Sequence, residues 1–217
     1  NTTGVSNAVV GANAMDANTT GGDNSVLGFG AMGANTIGGR NVSVGENSLY
    51  TNVAGFRSTA VGFEALFTQN PGSSATDVYN TAVGYSAGRA VTTGTQNTFV
   101  GGLAGDGSQT GTGNTALGYQ SLSGVVTGGY NTALGWGAGQ ANTSGLNNTS
   151  VGTQALFLNT VGNYNVAMGE GALYTNVDGS QSVAIGRLAL YTQEPASAVN
   201  MLNTAVGYAA GQLVTTG

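Results

Sequence analysis

The most regular hydrophobic position in this chain recurs every 17 residues, directly before a glycine. Its twelve copies are all aliphatic or methionine: Val10, Leu27, Val44, Val61, Val83, Val100, Leu117, Leu134, Val151, Met168, Ile185 and Val206. The residues that precede it, such as Thr132 and Ala133 before Leu134, suit a short pleated strand. We expect a β-strand at this position in every repeat, with the aliphatic column buried.

Glycine occurs at two fixed positions in the repeat. The repeat glycines follow the aliphatic column, and after Gly11 they are Gly28, Gly45, Gly62, Gly84, Gly101, Gly118, Gly135, Gly152, Gly169, Gly186 and Gly207. A second glycine recurs ten residues later, as at Gly38 and Gly145. Turns often need a positive φ, which glycine adopts at little cost, so we predict two turns and two short strands per repeat. Helices are excluded because no apolar period of 3.6 residues survives.

A polar column accompanies the strands, four residues before each repeat glycine. Ten of its twelve members are asparagine, including Asn80, Asn97, Asn114, Asn131 and Asn148, and the other two are Ser58 and Ser182. Stacked repeats would place equivalent amides roughly 4.8 Å apart, where they can hydrogen-bond as a ladder. The fold class is therefore all-β: a parallel β-roll or β-solenoid of about twelve 17-residue coils, forming a single array over residues 1–217.

A longer repeat of 124 residues lies over the short one, because residues 41–62 match residues 165–186. Both copies are followed by an insertion, at residues 68–79 and 192–202, and these insertions contain both prolines of the chain. Insertions in repeat proteins form loops and often the binding face. The candidate ligand-binding residues are therefore Gln69, Asn70, Pro71, Asp77, Gln193, Glu194 and Pro195. Spacing, or filling a groove between chains, is an equal alternative.

Composition excludes several kinds of chemistry. The chain has no Cys, His or Lys, so it lacks a thiolate zinc site, a disulfide framework and the usual catalytic bases. Four arginines and a net charge of -5 argue against nucleic acid as a partner. Nine acidic residues are scattered without a pairing pattern, and no apolar run is long enough to enter a membrane. We expect no enzyme activity, no cofactor and no metal site.

Two further columns have open interpretations. Aromatic residues follow the repeat glycine directly, as at Phe63 and Trp136, or lie five residues after it, as at Tyr50, and we expect them to pack at corners or between chains. Threonines form a column on six successive coils: Thr59, Thr81, Thr98, Thr115, Thr132 and Thr149. Such a ladder suggests an ice-binding solenoid. These threonines share a strand face with the aliphatic column, so we expect them to point inward or to line a chain interface.

The motif Ser182-Val183-Ala184-Ile185-Gly186, and variants such as Asn131-Thr132-Ala133-Leu134-Gly135, fill the chain. It resembles the YadA-like head repeat of trimeric autotransporter adhesins, and it is similar to the repeat shafts of phage tail fibres. The resemblance implies a left-handed β-roll, association into a homotrimer, and a surface that binds host ligands.

The resulting functional hypothesis is a non-enzymatic segment of a trimeric surface fibre or adhesin, expected to be a fragment of a longer chain. Its partners would be its own copies and a host glycan or protein, and its location would be extracellular, on a cell or virion surface. A phage tail-fibre shaft and an ice-binding solenoid are the alternatives.

Overall fold

The computed structural model describes residues 3–107, 109–195 and 197–215, which contain β-strands and turns. Within these ranges there is no helix, and thus none with the length and apolar character needed to span a bilayer. The chain divides into two compact units, residues 1–112 and 113–217. Each unit is a parallel β-solenoid with six coils, where a coil is one turn of about 17 residues.

The first unit contains eight strands: β1 (Ala8–Val10), β2 (Ser25–Leu27), β3 (Val42–Val44), β4 (Gly55–Phe56), β5 (Thr59–Val61), β6 (Thr76–Asp77), β7 (Thr81–Val83) and β8 (Thr98–Val100). Six of them pair in parallel in the order β1-β2-β3-β5-β7-β8. The short strands β4 and β6 form a separate parallel pair. The insertion at 68–79 therefore returns to the solenoid through β6.

The second unit contains six strands: β9 (Thr115–Leu117), β10 (Thr132–Leu134), β11 (Thr149–Val151), β12 (Val166–Met168), β13 (Val183–Ile185) and β14 (Thr204–Val206). They pair in parallel in chain order. The register joins residues 17 apart, as in Ala133 with Ser150, and the second insertion lengthens this offset between Ala184 and Ala205. The predicted parallel solenoid with a 17-residue repeat is confirmed.

The strands face the opposite way from our expectation. In β10 the middle residue, Ala133, is fully buried, whereas Thr132 and Leu134 on either side are exposed. Every described member of the aliphatic column is exposed or half-buried, so its predicted burial is wrong. The cause is the period of two along a strand: Asn131 must point inward to bond inside the coil, so Ala133 points inward and Leu134 points outward.

The core is formed instead by a column four residues after the repeat glycine. It contains Met15, Met32, Leu49 and Leu66 in the first unit and Leu122, Leu156, Leu173 and Leu190 in the second. These side chains are buried although their φ lies between 45° and 53°, in the left-handed region that branched and bulky residues seldom adopt. Alanine or serine precedes each of them, and it is buried wherever the coil is enclosed, as at Ala65 and Ala155. Only a small side chain stands at this position in every coil, next to the core column.

Two successive coils fill the core differently. Glycines replace the leucine at Gly88 and Gly105, and the buried ring of Phe99 occupies the space between them. A Cβ at Gly105 would lie only 2.5 Å from this ring. Phe99 stands where the other main strands have Val, Ala or Ser, so one large side chain compensates for two absent leucines.

Candidate functional site

The repeat glycines close each coil against the next. Their φ lies between 125° and 146° at Gly28, Gly45, Gly62, Gly84, Gly101, Gly118, Gly135, Gly152, Gly169 and Gly186. A Cβ at Gly135 would also lie 2.7 Å from the carbonyl oxygen of Gly152 in the next coil. Both the backbone angle and the close stacking therefore require glycine here.

The positions of the second glycine column are glycine for a different reason. Gly38 and Gly145 lie outside the positive-φ region, so our expectation of positive φ is wrong for them. A Cβ at Gly145 would lie 2.5 Å from the carbonyl oxygen of Gly162 and 2.5 Å from the side-chain oxygen of Asn142. At these positions the residue is glycine because the coils and the asparagines leave no space for a side chain, whereas Gly72, in the first insertion, has open space around it.

The asparagine column forms the expected ladder. Its members Asn80, Asn97, Asn114, Asn131 and Asn148 are all buried. The side-chain oxygen of Asn131 accepts hydrogen bonds from the backbone N–H of Asn148 at 3.0 Å and from the Asn148 amide at 3.2 Å. The Asn131 amide in turn donates to the carbonyl oxygen of Gly145 at 2.8 Å. The prediction of amide-to-amide hydrogen bonds is confirmed, and the ladder also binds the turns.

A second amide ladder was not predicted. It lies seven residues after the repeat glycine, at Asn18, Asn35, Asn52 and Gln69 in the first unit and at Asn142, Asn159, Asn176 and Gln193 in the second. Asn142 donates to the carbonyl oxygen of Gly145 at 3.1 Å, so that oxygen accepts from both ladders. The sequence signal is the spacing Asn-x-x-Gly. It is interrupted by the two glutamines and by Val91, Ser108, Val125 and Val214.

The two glutamines of the insertions belong to this ladder. Gln69 is fully buried, donates to Asn52 at 3.2 Å and to Ser58 at 3.1 Å, and accepts from the Asn80 amide at 2.9 Å. Gln193 makes the equivalent bonds to Asn176, Ser182 and Asn203. Ser58 and Ser182 are the two breaks in the first asparagine column, and the longer glutamine fills each gap. Neither glutamine side chain is accessible to a ligand. The structure therefore assigns both a structural role in place of the predicted ligand-binding role.

The other loop candidates also contact the solenoid. Asp77 is exposed and forms an ion pair with Arg57. The carboxylate of Glu194 accepts the backbone N–H of Val177 at 2.7 Å, and the neighbouring Pro195 is buried, so Pro195 offers no binding surface.

Each insertion has a run of four consecutive exposed residues, 72–75 and 197–200, which we call its tip. Asn70 and Pro71 are half-buried at the base of the first tip, where the Asn70 side-chain oxygen accepts the N–H of Gly72 at 3.1 Å. Ala196 lies outside the described residues. The proposal that the tips bind a ligand stays a prediction.

The outward residues of the main strands form a regular surface on each unit. We call these first and third strand residues the outer face. In the second unit the outer face contains Leu117, Leu134, Met168, Ile185 and Val206, which are all exposed, beside the outward Thr115, Thr132 and Thr204. No charged residue occurs in either column of either unit. Each unit thus presents parallel rows of aliphatic and hydroxyl side chains.

The charged side chains lie elsewhere and are mostly paired. Each of the four arginines has an acidic partner: Arg40 with Asp23, Arg57 with Asp77, Arg89 with Glu64, and Arg187 with Glu170. Three of them also lie over an aromatic ring. Burial raises the pKa of the Asp106 carboxyl, although a backbone hydrogen bond and the nearby Arg89 oppose the shift. Among the described residues, no three acidic side chains are grouped as a metal ion would require.

Comparison of this chain with protein-family models, with curated proteins and with solved structures finds no match. The resemblance to YadA-like heads therefore stays a prediction.

Proposed function

We propose that this chain is a self-associating, non-catalytic segment of an extracellular surface fibre, in which three copies pack through their outer faces. The observation that carries the proposal is the outward aliphatic column. Leu134 is 41% exposed and Met168 is 40% exposed, and both belong to an unbroken run of apolar residues on paired strands. Contiguous exposed apolar surface of this kind marks association sites in soluble proteins.

The partner best matched to this face is a second copy of the same face. Its rows have a fixed spacing of one strand, so identical rows from two chains can interdigitate along their length. It carries no charge, so it presents no repulsion to its own copy. A closed arrangement of three copies would cover every outer face.

Within this proposal, the segment extends and displays an attachment surface toward a host cell, and a bacterial adhesin or a phage tail fibre would both use it in this way. The exposed insertion tips and the aromatic residues outside the outer face are the surfaces that would remain available to a host ligand.

Light scattering tests the proposal directly. We expect a solution mass three times the 21.3 kDa of one chain. Leu134→Lys should dissociate the assembly without unfolding it, because the charge would be desolvated between chains. Leu146→Lys is the matched control, since Leu146 is 40% exposed but lies outside the outer face. A stable monomer in the wild type, or equal behaviour of both variants, would overturn the proposal.

An ice-binding solenoid is the second candidate, and the orientation of the threonines favours it. Thr115, Thr132 and Thr149 are in register on neighbouring strands of the second unit, and they point outward. Of the two positions we expected, inside the coil or at a chain interface, the first is therefore wrong. In the first unit Thr59, Thr81 and Thr98 are arranged in the same way. If the chain is a monomer, this regular row is open to water. Thermal hysteresis that disappears in Thr132→Lys would support ice binding, and a trimer without hysteresis would exclude it.

A further inference from the structure

The first unit contains a cleft that the proposed function does not use. Its volume is about 470 Å³, which falls in the usual range for small-molecule sites. Its lining combines aromatic rings with amide and carboxylate groups: Asn13, Asp16, Phe29, Gly30, Asn47, Tyr50 and Phe67. The residues come from four successive coils.

The cleft exists because one coil lacks side chains at its corner. Two residues and five residues after the repeat glycine, this coil has Gly30 and Gly33, and no other coil has glycine at both positions. The preceding coil has Asn13 and Asp16 there, and the following coil has Asn47 and Tyr50. The Asn47 and Tyr50 side chains reach over the two glycines, and a Cβ at Gly30 would lie 2.4 Å from the Asn47 side-chain oxygen. The cleft is the space that remains beside them, toward Asn13 and Asp16.

The aromatic side of the gap is held in place. The rings of Tyr50 and Phe67 stack at 5.4 Å between centroids and 7° between planes, and the guanidinium of Arg89 lies 5.6 Å from the Phe67 ring centroid. Phe67 thus covers one face of the Tyr50 ring. The opposite side of that ring lies toward Gly33, where a Cβ would be only 2.9 Å from it. Tyr50 is still 39% exposed, so the part of its ring that Phe67 and Gly33 leave uncovered borders the cleft.

The polar groups indicate the chemistry of the ligand. The amides of Asn13 and Asn47 can donate and accept hydrogen bonds, and the exposed Asp16 carboxylate accepts them. No arginine lines the cleft, which argues against a phosphate or another anion. Hydroxyl groups both donate and accept, and the C–H groups of a pyranose pack on the negative face of an aromatic ring.

We infer that this cleft binds a neutral pyranose, with its ring packed against the exposed part of Tyr50 and its hydroxyls bonded to Asn13, Asp16 and Asn47. The inference goes beyond the proposed function and is independent of it, because the cleft is complete within one chain.

Saturation-transfer NMR on the intact chain tests the inference, with methyl glycosides of glucose, galactose, mannose and N-acetylglucosamine as probes. We expect transfer to the ring C–H protons of at least one glycoside, with a dissociation constant in the millimolar range. Tyr50→Ala should abolish the transfer, and Asp16→Ala should weaken binding roughly tenfold through the lost hydrogen bond. Because Asp16 is exposed, its variant is expected to fold even if the Tyr50 variant does not.

Matched controls come from the second unit. Tyr191→Ala removes a ring from the equivalent column, and Asp178→Ala removes an acid distant in sequence from the cleft, so both should bind as the wild type does. Absence of transfer for every glycoside, or equal transfer in the Asp16 and Asp178 variants, would overturn the inference. Binding of tetramethylammonium in place of the glycosides would also overturn it, because the cleft would then recognise an organic cation. Light scattering on the same samples separates this result from the test of self-association.

Discussion

A repeat glycine such as Gly135 satisfies two separate demands, a positive φ and the absence of a Cβ against the next coil. Substituting a repeat glycine violates both demands at once, but another glycine of this chain has only one of them. Gly72, at the tip of the first insertion, has a φ of 103° and no atom within 4 Å of where a Cβ would be. It needs only the backbone angle.

We therefore predict different losses for two alanine substitutions. Gly72→Ala should lower the free energy of unfolding by about 1 kcal/mol, the cost of a positive φ in a residue with a Cβ. Gly135→Ala should lower it by more than about 3 kcal/mol, because the new Cβ also collides with the carbonyl of Gly152. Urea denaturation followed by circular dichroism measures both. Equal losses would show that stacking contributes nothing at the repeat glycine.

At the scale of one coil, stability depends on matched amides rather than on a large apolar core. The coil before the first insertion uses an Asn41 and Asn52 combination, and the insertion coil uses Ser58 with Gln69. Two asparagines of intermediate length fill the interior of the first coil. A shorter serine and a longer glutamine fill the corresponding space in the second. The two positions should therefore depend on each other energetically.

A double-mutant cycle measures this dependence. Ser58→Asn alone should crowd the coil, and Gln69→Asn alone should leave the Asn80 amide or the Ser58 hydroxyl without its partner, at about 1–3 kcal/mol. The double variant should recover part of the loss, with a coupling energy of at least about 1 kcal/mol. Chemical denaturation of the four proteins provides the values. Simple additivity would mean that the serine and the glutamine arose independently of each other.

The strands, the 17-residue register and the first amide ladder could be predicted, because each leaves a strict period in the sequence. The direction of the strand faces could not, because Leu134 and Ala133 are both apolar and only the inward Asn131 decides between them. The core leucines were missed for a related reason: Leu156 is a turn residue with positive φ, which no strand or helix pattern marks. The cleft required knowing which coils are neighbours, and neither its glycines nor Asp16 has a motif of its own.

At the scale of the whole molecule, the charged and uncharged surfaces are separate. The arginines are paired with acids on neighbouring coils, and the outer faces carry no charge. If the outer faces form the contact between chains, association will depend on apolar burial and will be insensitive to screening.

We predict that raising the salt concentration from about 0.1 M to about 1 M, which shortens the Debye length from roughly 10 Å to 3 Å, leaves the assembled mass unchanged. Sedimentation at both concentrations provides the measurement, and Leu134→Lys serves as a sample that is already dissociated. Dissociation of the wild type at high salt would instead assign the contact to ion pairs such as Arg187 with Glu170.

The amide ladders also have a consequence for how such a chain can change its length. Asn131 bonds to Asn148 as Asn148 bonds to Asn165, so one side of a coil offers the same donors and acceptors that the other side of the next coil requires. Losing or gaining one whole coil rejoins equivalent partners. A change by another number of residues must place the extra residues outside the ladders, as the two insertions do, where Gln69 and Gln193 bond to Asn80 and Asn203. A gene that encodes this array can therefore vary the reach of its product in steps of one coil, by slippage or recombination between repeats, without redesigning its interior.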